Sequence, residues 1–74
     1  MVNDTEFLKK LGLKIKILRS LKGLSQDDVV MELNIDKSYY SKVERGLTNA
    51  TVTYLKHLAE FFQTDLGELI NFKI

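Results

Sequence analysis

The stretch Leu24–Gly46, LSQDDVVMELNIDKSYYSKVERG, carries two helix-start signals, two helix-stop residues and only a few positions between the helices they define. Ser25 with Asp28 three residues on can close a capping box, and Val29, Val30 and Leu33 then recur on one side of the helix that follows. Asn34 falls where that helix must stop, because asparagine tolerates a left-handed backbone better than any residue but glycine. Asp36 can cap a second helix that turns Tyr40 and Val43 inward and ends at Gly46. Ile35 fills the turn, and Lys37, Ser38, Tyr39, Ser41 and Lys42 are left pointing outward. Two short helices joined by three or four residues are what a helix-turn-helix needs, since its second helix must stand at a steep angle to the core. On spacing alone, an ordinary helical hairpin fits equally well.

The remaining segments are helical too. Leu8, Leu11, Ile15 and Leu18 place an apolar stripe on a helix from about residue 5 to residue 22, with Gly23 as its stop and Gly12 as a weak point. Thr51 is a cap for a fourth helix that gathers Leu55, Leu58, Ala59 and Phe62 on one side. Asp65, with Glu68 three residues on, starts a short fifth helix presenting Leu66, Leu69 and Ile70. Only Thr51–Tyr54 hints at the two-residue alternation of a strand. Without proline, repeat or linker, residues 1–74 read as one all-α domain of five helices.

Several chemistries are excluded at this stage. A chain of 74 residues is too short for a large enzyme architecture. Without cysteine there is no disulfide, thiolate metal site or cysteine nucleophile, which fits a reducing, cytoplasmic setting. His57 is the only histidine and has no partner at metal-ligand spacing, so no metal or cofactor is expected, and no small-molecule ligand is evident. Asp27 and Asp28 diverge on a helix and are simply partners of its positive end. Ser25 and Ser41 lack a base. The longest apolar run, Val29–Met31, is far shorter than a membrane span. Net charge is only +1, but it is unevenly spread: residues 1–24 hold six bases and two acids, and residues 25–36 hold four acids and no base. Residues 37–49 are basic again, with Lys37, Lys42 and Arg45 against Glu44.

The motifs LRSLKGLSQ (18–26) and SYYSKVERG (38–46), with the spacing of LKHLAEFF (55–62), resemble the phage-repressor-like helix-turn-helix family from about Leu11 to Leu69. Within it, IDKSYYSKVERGLTNAT looks most like the controller proteins of restriction-modification systems, which are short stand-alone dimers. The resemblance implies a five-helix domain that binds double-stranded DNA with its third helix and has no enzymatic activity. It implies a phosphate contact for Gln26 at the start of the second helix, groove-facing roles for Lys37, Ser38, Tyr39 and Lys42, and further phosphate contacts around Arg45, Thr48 and Asn49. Arg19 and Glu44 match a structural ion pair joining the first and third helices. Asp36 is read as a cap before a base reader.

Two positions depart from the family pattern. Val30 stands where alanine is common, and Asn34 where glycine is common. The valine adds bulk between the two helices, and asparagine is the least costly substitute for glycine in the left-handed turn. With no separate effector domain, the reading is a transcriptional regulator that responds through its own concentration, as a homodimer. Phe61, Ile70, Phe72 and Ile74 are the apolar surplus expected to form the dimer interface. The rival reading is a protein-interaction module, antitoxin-like or adaptor, that uses the fifth helix and the Phe61/Phe62 surface. Lys14 is placed in solvent.

Overall fold

Four of the helices begin where a short polar side chain satisfies a backbone N–H group that a first turn leaves free. The computed structural model describes residues 4–71 and contains α1 (Asp4–Leu21), α2 (Gln26–Leu33), α3 (Lys37–Glu44), α4 (Val52–Phe61) and α5 (Leu66–Ile70), with no strand among the described residues. Ser25, Asp36, Thr51 and Asp65 are the N-caps of α2 to α5, each accepting from the backbone N–H three residues on. At α2 the box is reciprocal, with the Asp28 carboxylate accepting from the Ser25 N–H at 2.8 Å. The cap at Thr51 settles the ambiguous Thr51–Tyr54 stretch as the start of a helix.

The stops follow the same local chemistry. Asn34 takes the left-handed conformation at φ 54°, and Gly23 and Gly46 take it at φ 70° and 71°. Gly46 is constrained twice, because a side chain there would also meet the backbone of Lys9 in α1. Gly12, which the sequence marks only as a weak point in α1, is buried where the helix passes the end of α3; a Cβ there would collide with the carbonyl oxygens of Val43 and Glu44. Small residues at both crossings let α1 and the C-terminal end of α3 lie backbone against backbone.

Leu11 and Ile15 of α1 meet Val29 and Val30 of α2, Tyr40 and Val43 of α3, Leu55, Leu58 and Ala59 of α4, then Phe62 and Leu69, in one apolar core. Leu18 and Leu33, expected on the inner faces, lie half-buried at its margin, and Leu8 is half-buried too. Phe61, read from the sequence as apolar surplus, is half-buried, packs against the core and meets Phe62 edge-on at 5.2 Å. Lys14, placed in solvent by the sequence, is partly exposed but has partners. Its Nζ donates to the Glu68 carbonyl at 3.2 Å and lies 3.8 Å from the Glu68 carboxylate, tying α1 to α5. The reason is that α5 docks on α1, and the Lys22–Gln63 hydrogen bond of 2.9 Å ties the segment before α5 to the C-terminal end of α1. No helix among the described residues is long and apolar enough to cross a membrane.

Candidate nucleic-acid interface

The turn Asn34–Asp36 fixes how α3 leaves α2. The Asn34 N–H and the Ile35 N–H return to carbonyls at the end of α2, that of Ile35 at 3.0 Å from Val30 O. Asp36 spends its carboxylate on the Tyr39 N–H at 2.8 Å, which makes it a cap. With Tyr40 and Val43 buried, the opposite side of α3 presents Lys37, Ser38 and Lys42 to solvent.

Tyr39 behaves differently. Its ring is half-buried and meets Tyr54 of α4 edge-on at 5.1 Å, so it is both a wall of the core and a candidate contact. Burial, with the nearby Tyr39 and Asp36, pushes the Tyr54 hydroxyl up to about 12, so it stays neutral at any ordinary pH. Beyond α3, Arg45 is exposed and its Nε donates to Ser41 O at 3.3 Å; Asn49 is exposed and Thr48 half-buried.

Two internal pairings at this face are not visible in the sequence. Lys37 Nζ lies 2.8 Å from the Asp27 carboxylate, so the first turns of α2 and α3 are bridged by an exposed ion pair. Asp27 therefore has a partner besides its own helix end. Gln26 Nε2 donates to Glu44 Oε1 at 3.0 Å. Both pairings join the first turn of α2 to α3, and the signal that could have found them is the turn itself, which must bring those elements together.

Glu44 is buried at 7% exposure and accepts from three directions. Arg19 Nε donates to its Oε2 at 2.7 Å and Arg19 Nη2 to its Oε1 at 3.0 Å, a two-pronged arrangement that matches the planar guanidinium. A third Arg19 nitrogen, Nη1, donates to the Leu24 carbonyl at 2.8 Å, just before the α2 cap. Burial alone would raise the Glu44 carboxyl; the Arg19 hydrogen bonds, with the adjacent Tyr40 hydroxyl and the Gln26 amide, outweigh it and hold the group below the ordinary glutamate value. Glu44 in turn holds the Arg19 guanidinium above its own ordinary range. The Tyr40 hydroxyl lies buried beside this pair; burial first, and then the adjacent Glu44 carboxylate, push its titration far up, although no acceptor meets it in hydrogen-bond geometry.

Two of the four side chains expected at a dimer interface fall within the described residues. Phe61 is half-buried against the core, Ile70 is 41% exposed on α5, and Phe72 and Ile74 lie outside the described residues.

A helix-turn-helix family model, HTH_3, matches residues 15–69. The HTH-type transcriptional regulator SlrR of Bacillus subtilis is 37% identical over 62 residues, which make up 82% of this chain but only 41% of SlrR. Control protein C.MunI of a Mycoplasma species is 32% identical over 71 residues, 95% of this chain and 93% of that protein. The crystal structure of an HTH_3 family transcriptional regulator from Vibrio cholerae superposes with a TM-score of 0.80 over 90% of this chain and 38% of its own; at 24% identity this bears on the fold alone. With more than half its length matched by the family model, the chain belongs to the phage-repressor-like helix-turn-helix family.

Proposed function

We propose that α3 enters the major groove of double-stranded DNA and reads a specific sequence, with two copies of the chain acting as a dimer on paired half-sites. As a member of its family the chain is a DNA-binding regulator and not an enzyme. One observation carries the finer reading: α3 buries Tyr40 and Val43 and leaves Lys37, Ser38 and Lys42 together on its open side, next to the N-terminus of α2. Lysine can donate to guanine O6 and N7, serine can serve a base or a phosphate, and the Tyr39 edge can meet a thymine methyl. Gln26, Arg45, Thr48 and Asn49 are assigned to the backbone, where contacts set register and carry no sequence information. Affinity is then salt-dependent and base discrimination resides in α3.

The likeness to C.MunI over nearly the full length of both chains supports a control-protein-like regulator. A dimer would present two α3 helices about one helical turn of DNA apart, roughly 34–36 Å. Exposed Ile70 is the described residue that best marks its surface.

Selection of bound duplexes from a random pool, followed by sequencing, tests this reading. The expected result is a two-fold symmetric site bound far more tightly than random DNA. Enrichment of no sequence refutes specific readout. Sedimentation at micromolar concentration tests the dimer, with Ile70→Glu as the disrupting variant; wild-type protein that stays monomeric with and without its site refutes it.

A further inference from the structure

We infer that Glu44 is a positioning residue for the DNA contact of Gln26, so that the buried ion pair sets the affinity of the interface as well as the stability of the core. The inference rests on the proposal that Gln26 touches the DNA backbone.

Three helices meet at this carboxylate. Arg19 of α1 holds both its oxygens, Gln26 of α2 donates to Oε1, and Glu44 itself ends α3. Arg19 also holds Leu24 O, so the chain entering α2 and the first residue of α2 are fixed from one junction. The junction is rigid because the Glu44 backbone rests against α1 at Gly12, where no side chain intervenes.

The consequence for Gln26 follows from donor and acceptor chemistry. A free glutamine amide turns readily about its last torsion and can offer either its oxygen or its NH₂ to a neighbour. An ionised carboxylate only accepts, so Glu44 admits the amide in one orientation, with Nε2 toward Oε1. The second N–H of Nε2 remains to donate. A phosphate also only accepts, so an amide turned the other way would set its oxygen against the phosphate. Arg19 neutralises Glu44, which would otherwise repel the same phosphate. Glu44 thus fixes the amide before DNA arrives, and the contact forms without an ordering step.

The test is a double-mutant cycle on the full chain, Gln26→Ala against Glu44→Gln, read as the dissociation constant for a random duplex at low salt. Circular dichroism sets a temperature at which all four proteins are folded. Gln26→Ala is expected to weaken binding about tenfold, and Glu44→Gln to weaken it severalfold in the wild-type background but not when Gln26 is already alanine. A Gln26→Ala protein with wild-type affinity overturns both the inference and the assignment of Gln26. Losses that multiply, with Gln26→Ala itself weakened, overturn only the inference, since a purely structural Glu44 affects both backgrounds equally. Should Glu44→Gln not fold, Arg19→Lys takes its place in the cycle: it keeps the positive charge but cannot hold both carboxylate oxygens and Leu24 O together. The same non-additivity is expected, and its absence overturns the inference.

Discussion

Gly12 of α1 lies against the carbonyl oxygen of Glu44 in α3, with no space between the two backbones for a methyl group. Alanine is normally the better helix former, by roughly 0.5–1 kcal/mol. Here the collision is with backbone, which cannot rotate away as a side chain can. Gly12→Ala is therefore expected to destabilise the protein by about 1–3 kcal/mol, as overpacking does. Thermal unfolding checks this, and a melting temperature at or above wild type would show that α1 and α3 are less tightly apposed.

Arg19→Met should lower stability much more than Lys14→Met. Removing Arg19 strands a buried carboxylate and frees the Leu24 carbonyl, at a cost toward the lower end of about 3–5 kcal/mol. Lys14 does hold α5 through Glu68, but in contact with solvent, where such a bond contributes about 1 kcal/mol or less. Equal losses in urea denaturation would contradict this ordering.

Tyr40→Phe removes a buried hydroxyl that lies beside the Glu44 carboxylate without a partner in hydrogen-bond geometry, while keeping the ring that fills the core. The variant is expected to be as stable as wild type or more stable, by up to about 1 kcal/mol, because an unsatisfied buried polar group is costly. Destabilisation by about 1 kcal/mol would mean that the hydroxyl donates to the neighbouring Glu44 carboxylate.

Glu44 also gives stability a pH dependence of known sign. Its carboxyl sits below the ordinary value of 4.5 in the folded protein, so its contribution is complete above that value and is lost as pH falls through the lower, folded one. Melting temperature should fall below about pH 4.5, and Glu44→Gln should flatten that fall while starting from a lower plateau. An unchanged profile in the variant would assign the acid sensitivity to other carboxylates.

Lys37→Ala should relax specificity at one base pair, by about 1–3 kcal/mol if its contact is to guanine, without altering stability, since the pair with Asp27 is exposed. Tyr39→Ala should lose both binding and stability because its ring also packs on Tyr54. Competition binding against the selected site, run beside thermal melts, separates the two; a Tyr39→Ala protein of wild-type stability would remove the packing role.

What the sequence makes legible here is whatever is decided within about four residues. Ser25, Asp36, Thr51 and Asp65 each cap a helix through a bond to the third residue on, and Asn34 and Gly46 stop helices by their own backbone preference. The open side of α3 follows from the same periodicity. What stays hidden depends on partners far along the chain. Gly12 reads as a weakness until the Glu44 carbonyl is seen above it, Gln26 reads as a free side chain until Glu44 is placed, and Lys14 reads as solvated until α5 docks. Periodicity assigns a face to each residue, but not which element will come to lie on it, and Phe61 shows the same limit from the apolar side.

The docking of α5 on α1 also sets the order in which the chain can acquire its structure during synthesis. Lys14 and the carbonyl it holds at Glu68 are 54 residues apart. At about 5–20 residues per second, the ribosome needs roughly 3–11 s to make the second after the first. The exit tunnel of the ribosome still encloses the later helices when α1 emerges, so α1 cannot meet α5 until the chain is nearly complete. The seam on α1 then waits, uncovered, until α5 emerges. A chain that ends before residue 66 should leave exposed the part of α1 that α5 covers.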